Sequence, residues 1–184
     1  QMKELKEAVT QELLPRAFVK NSRQRALIDL ENNWVWVEAG SASKAENLLS
    51  ALRETTGSLP PRLPDTQTTP QTAMTHWLED EPPAEFALDT DCELRFPGDG
   101  GAVARFVRQA LDADEVRQNL ANGKLASRLG LVWRERLSFQ LTEKMEIKRL
   151  AMLDVLQEEI EHADAADQAA LFDASLTLLV GELR

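Results

Sequence analysis

Cysteine is almost absent: the 184 residues contain only Cys92. That excludes a disulfide framework within the chain and suits a reducing compartment. Histidine is scarce too. His76 and His162 fall in separate predicted helices with no Cys or His companion close by, so a zinc site is not expected, and neither is any other cofactor. No apolar run approaches a bilayer span, and no charged-then-apolar signal segment opens the sequence. Those features predict a cytoplasmic protein with no membrane partner. A nucleophile elbow, a phosphate-binding glycine loop and a dinucleotide fingerprint are also missing. GDGG (98–101) has neither the lysine nor the helix start of a phosphate loop and reads as a turn. The sequence therefore does not point to an enzyme.

What is present describes an ordinary folded protein, with 43% hydrophobic and 28% charged residues. The length allows one substantial domain or two small ones. The net charge of -10 is unevenly spread: +1 over residues 1–64, -8 over 65–100, +4 over 101–150 and -7 over 151–184. A globally acidic chain is not the usual DNA binder, and segregation of its charge weakens that objection. The sharpest local exception is LLPRAFVKNSRQRALI (13–28), which holds Arg16, Lys20, Arg23 and Arg25 with no acid and with Phe18 between two cations. Crowded like charges suggest a phosphate-bearing or acidic partner.

Punctuation along the chain predicts an α+β fold of mainly antiparallel strands and hairpins with flanking helices. Residues 2–14 read as a helix ending before Pro15. ALIDLE (26–31) and WVWVEA (34–39), separated by Asn32-Asn33, read as a hairpin. Ser41 or Ser43 opens the next helix, with Ser43 and Glu46 spaced as a capping box, Leu48, Leu49 and Leu52 as its buried stripe and Gly57 as its stop. After the proline-rich loop 59–70, Thr69-Pro70 starts a short helix to Asp80, in which His76 reads as a packing residue.

Residues 85–96 and 102–110 read as strands, 112–122 as a helix, and 125–152 as an antiparallel meander with a turn at Thr142-Glu143-Lys144. A C-terminal amphipathic helix presents Phe172, Leu176, Leu179, Val180 and Leu183 on one face. The domain reading is 1–64 for helix, basic segment, hairpin and capped helix, and 65–184 for the rest, with one continuous domain as the alternative.

Two constellations could carry chemistry. Asp89, Asp91 and Glu93 alternate, so on a regular strand they share a face that could hold Mg²⁺ for a nuclease. An ordinary charged strand edge explains them more simply, and no metal site is assigned. Arg134 and Arg136, read as one strand face with Ser138 and Gln140, together with Arg105 and Arg108 around Phe106-Val107, form a second cationic set. Joined to 16–25, they predict phosphate contact without base specificity.

Several stretches resemble the RdgC family: LLPRAF, ETTGSLP (54–60), GDGG before ARFVRQAL (104–111), KLASRLGLVW (124–133), RLSFQL (136–141), IKRLAM (147–152) and LTLLVGEL (176–183), all in order. The resemblance implies a nucleoid-associated protein that binds double-stranded DNA without strong sequence preference and restrains the RecA recombinase. It further implies a homodimer closing into a ring around the duplex, with cations facing the hole. Phosphate contacts are then expected at Arg16, Lys20, Arg23, Arg25, Arg105, Arg108, Arg134 and Arg136. Phe18 and Gln109 are expected at the two subunit contacts of the ring. Compared with that family the chain is expected to lack about the first third and a short C-terminal tail. The family also carries an exonuclease label, for which no motif is found here. Two alternatives stand beside this reading: an interaction module docking on an acidic partner, and a metal-dependent exonuclease.

Overall fold

The computed structural model describes residues 2–19, 21–98, 100–162 and 167–183, and it divides into two units, Gln1–Arg62 and Leu63–Arg184. The first contains helix α1 (Met2–Leu13), a 3-10 turn (Leu14–Arg16), strands β1 (Arg25–Asp29) and β2 (Trp34–Glu38), and helix α2 (Ala42–Thr56). Pro15 sits in the 3-10 turn, and the hairpin closes through Asn33 at φ 60, the left-handed geometry asparagine tolerates. The Asp29 carboxylate fastens that turn by accepting from the Asn32 backbone and side chain. Ser41, not Ser43, caps α2, accepting from the Lys44 N–H. The capping box is displaced because Ser43 already lies inside the helix. Gly57 at φ 77 ends it. No described residue of this unit is buried, so Leu48, Leu49 and Leu52 are half-buried rather than a core.

The second unit is built on a five-stranded antiparallel sheet, order β4-β3-β5-β6-β7. Its strands are β3 (Phe86–Arg95), β4 (Val103–Phe106), β5 (Leu125–Trp133), β6 (Leu137–Thr142) and β7 (Ile147–Met152). Four helices accompany it: α3 (Pro70–Glu79), α4 (Asp114–Ala121), α5 (Asp154–Glu161) and α6 (Gln168–Leu183). Alternation decides the two faces. Cys92, Leu94, Ala126, Leu129 and Leu131 point to one side and join Met74 and Leu78 of α3 and Val116 and Leu120 of α4 in the main core. A second cluster on the same side seats Leu156 and Ile160 of α5 and Leu178, Leu179 and Leu183 of α6 around Leu137. Each fully buried leucine is worth about 1.5–3 kcal/mol.

Three expectations are corrected. The strand read over 102–110 stops at Phe106, because Arg108 adopts φ 54 and turns the chain away. Arg134 and Arg136 are not on a strand face: β5 ends at Trp133, and Arg134 (φ 45) and Glu135 (φ 57) form a tight hairpin turn closed by the Arg136 N–H on the Trp133 carbonyl, 2.8 Å. His76 is exposed and pairs with Asp80 at 3.0 Å instead of packing. In α6, Val180 is buried and Leu179 and Leu183 pack as expected, whereas Phe172 is 52% exposed.

Candidate nucleic-acid interface

All four helices of the second unit contribute their apolar residues to one side of the sheet. The opposite side belongs to the alternate residues, a cluster of charged and polar side chains with Val103, Leu125, Val132 and Ala151 among them. Cross-strand pairing places Glu93 between Arg105 on β4 and Arg128 on β5, Arg95 beside Val103, and Lys148 opposite Gln140. A bulge adds one more cation. Ser138 faces Ala151 while Gln140 faces Lys148, so β7 carries an extra residue there, and Arg149 takes φ 51. Strict alternation would send Lys148 and Arg149 to opposite faces; the bulge lets Arg149 reach Asp91 on the open face at 3.3 Å. Five cations, Arg95, Arg105, Arg128, Lys148 and Arg149, therefore share one sheet face, with Arg105 and Arg149 about 70% exposed (70% and 71%).

Two carboxylates sit among them. Glu93 is 5% exposed and accepts from Arg105 Nε (2.7 Å), Ser127 Oγ (2.9 Å) and Arg95 Nη2 (3.3 Å). Burial works to raise its pKa, but the bonds from Arg105 and Ser127 and the charges of Arg105 and Arg128 hold it below the ordinary carboxylate range. Asp91 accepts from the Arg108 backbone N–H (3.0 Å), Gln140 Nε2 (3.1 Å) and Arg149 Nη1 (3.3 Å). The Asp91 side chain gets there across β5. Residues 89–91 of β3 bulge opposite the single residue Gly130, where a Cβ would lie 3.0 Å from the Asp91 carbonyl oxygen. Glycine lets the two backbones approach that closely. Asp91, Glu93, Arg105, Arg128, Gln140 and Arg149 help wall a recess of about 290 Å³.

The same bulge separates the three carboxylates that regular alternation would have aligned. Asp89 accepts locally from the Thr90 N–H at 2.7 Å, and among the described residues no three potential ligands converge on a metal position. Cys92 points into the core at 4% exposure, and burial, with the Asp91 charge, pushes its thiol up to about 12. It is inert at neutral pH.

The other residues singled out from sequence are scattered. Arg108 is exposed just beyond β4 and contributes its backbone N–H to Asp91. Gln109 is half-buried, its N–H on the Thr90 carbonyl. Arg134 stacks over Trp133, 4.6 Å from the ring centroid. Arg136 grips both Glu159 oxygens at 2.6 Å and lies 2.7 Å from Glu182. The Glu159 bonds, with the Glu182 and Glu159 charges, outweigh burial and raise its pKa. It is an internal strut tying the β5–β6 turn to α5 and α6. Arg16, Arg23 and Arg25 belong to the first unit and are exposed; Arg25 pairs with Glu38 at 3.6 Å. Lys20 lies outside the described residues. Phe18 is fully exposed (104%), so it is not a core residue.

Sequence reasoning passed over Arg95 and Arg128. The readable signal for Arg128 was a lone cation between Ser127 and Leu129 in an otherwise uncharged strand, at an out-facing position.

Comparison with known proteins gives this face a setting. The family model described as "Putative exonuclease, RdgC" matches residues 1–184. The chain belongs to the RdgC family. It is 56% identical over 182 residues to the "Recombination-associated protein RdgC" of Laribacter hongkongensis, a match covering 99% of this chain and 60% of that relative. The RdgC protein of Dechloromonas aromatica is 45% identical over 188 residues, covering 100% and 61%, and that of Neisseria gonorrhoeae 45% over 177 residues, covering 96% and 59%. The chain thus spans about three-fifths of the length of these RdgC relatives and shares their recombination-associated family. No helix among the described residues is long and apolar enough to cross a membrane.

Proposed function

We propose that this chain contributes the duplex-facing sheet of a sequence-nonspecific double-stranded DNA-binding protein of the nucleoid that limits RecA-promoted recombination. The observation that carries the reading is the sheet face opposite the helices, with Arg95, Arg105, Arg128, Lys148 and Arg149 in one array. Guanidinium groups suit phosphate oxygens, and none of these side chains sits on a helix shaped for reading base edges in a groove. Arg108 flanks the array, and Arg134 lies just beyond the C-terminal end of β5. In the first unit Arg16, Lys20, Arg23 and Arg25 add a second basic stretch. The fully exposed Phe18 fits one subunit contact of a ring-shaped homodimer, and Gln109 is assigned to the other.

The deciding experiment is anisotropy of a labelled, arbitrary-sequence duplex titrated with the chain across a salt series. Binding that ignores sequence and falls steeply with salt supports the reading, with the slope counting phosphates neutralised. Absence of binding at low salt together with stoichiometric capture of an acidic protein would favour the interaction-module alternative. For the dimer, Phe18→Ser is expected to lower the sedimentation coefficient; an unchanged value removes Phe18 from the interface.

A further inference from the structure

The open face contains a feature a plain phosphate-binding surface does not need. Asp91 and Glu93, two residues apart on the interior strand β3, each hold an exposed arginine from an edge strand of the sheet, Glu93 the Arg105 of β4 and Asp91 the Arg149 of β7. Neither carboxylate is free to leave. Glu93 is also bonded to Ser127 and Arg95, with its side chain 6% exposed, and Asp91, at 19%, is also bonded to Gln140 and the Arg108 backbone. The arginines are the exposed partners, each open to solvent over about 70% of its side chain (70% and 71%). A phosphate approaching Arg105 or Arg149 therefore meets a guanidinium already partly neutralised by a fixed anion beneath it.

We infer that Asp91 and Glu93 act as built-in competitors of phosphate, lowering the affinity of this face for DNA by occupying Arg105 and Arg149. The inference rests on the DNA-binding reading and adds its regulation. Two consequences follow from the charge count. Internal pairing reduces the number of counterions released on binding, so it flattens the salt dependence. It also keeps the contact weak enough for a sequence-independent protein to be displaced, since a fixed anion raises the energy of the bound state without favouring any base sequence.

The test uses the isosteric pair Asp91→Asn and Glu93→Gln, which keep the side-chain shape and one acceptor oxygen each and remove both charges. The control is Asp112→Asn with Asp114→Asn, an equal charge change at exposed residues near the start of α4 on the helix side of the sheet. In the duplex titration the Asp91/Glu93 variant is expected to bind on the order of tenfold more tightly at low salt. Its salt slope should steepen by about 2, one for each arginine freed. Affinity and slope that merely equal those of the control, or fall below wild type, overturn the inference. If the double variant does not fold by circular dichroism, Asp91→Asn alone, at the more accessible carboxylate, is expected to give half the slope change, and no change would overturn it. Elution from a heparin column separates the two readings. A wild-type chain that ignores DNA defeats the DNA reading. Later heparin elution of the Asp91/Glu93 variant than of the control would still support competition with polyanions, and equal elution would defeat it.

Discussion

The two faces of the five-stranded sheet are made by the same strands and behave as different materials. On one, Leu94, Ala126, Leu129, Leu131 and Leu137 are wholly excluded from solvent beneath four helices. On the other, arginines and a lysine stand open around Asp91 and Glu93. Stability should reside mainly on the first face and electrostatics on the second. Arg136 marks the boundary. Its guanidinium is held between two carboxylates, Glu159 and Glu182, whereas Arg105 and Arg149 each meet one carboxylate through a single nitrogen. Arginine count alone is therefore a poor guide to phosphate contact; what matters is which guanidiniums have donors left over.

The division can be broken most severely from the covered side. Leu131→Ala removes a side chain that is 0% exposed and should cost about 2–5 kcal/mol in urea unfolding, with little change in DNA affinity while the fold persists. From the open side, Arg95, Arg105 and Arg149 all changed to Gln should weaken duplex binding by on the order of a hundredfold at low salt and reduce the salt slope by about 3. Their unfolding midpoint should fall as well, because the buried Glu93 loses Arg95 and Arg105 and keeps Ser127 and the nearby Arg128, and the fall should be smaller than for Leu131→Ala.

Gly130→Ala tests the join between the faces. The added Cβ would press on the Asp91 carbonyl at 3.0 Å and on Asp89 Cβ at 3.1 Å, for a loss of about 1–3 kcal/mol. Arg136→Gln should lower the thermal midpoint by a smaller amount and, unlike the triple variant, leave the salt slope unchanged. A reduced slope would return Arg136 to the DNA surface.

The smallest effect is a pH dependence. The Glu93 pKa is lowered in the folded chain, so its ionised form adds stability that is present above the ordinary carboxylate range. That stability is lost as pH falls through the lowered value. Thermal midpoints should drop on acidification, and Glu93→Gln should make that drop shallower. An identical pH profile would mean that the arginines contribute no net stabilisation to that carboxylate.

Local chemistry was legible wherever neighbours in sequence are neighbours in space. The Asn32-Asn33 turn, the 125–152 meander with its Thr142–Lys144 turn, Gly57 and Gly123 as helix stops, and the C-terminal helix all follow from adjacent residues. Misreadings arose where one residue's offset changes a face. Arg134 and Arg136 alternate like a strand but lie in a turn, and Asp89, Asp91 and Glu93 alternate like one strand face until the β3 bulge opposite Gly130 parts them. A bulge is stabilised by the partner strand, so a single strand's pattern does not reveal it.

The sequence by itself determined the α+β class, the antiparallel meander and membership of the RdgC family, because short-range periodicity, turn chemistry and ordered family stretches are written along the chain. Tertiary structure alone decided which cations are available. Arg149 meets Asp91 from 58 residues away, and Arg136 meets Glu159 from 23. Charge is a property of composition, but neutralisation depends on distance in space, which pairing and bulges set only when the sheet is assembled.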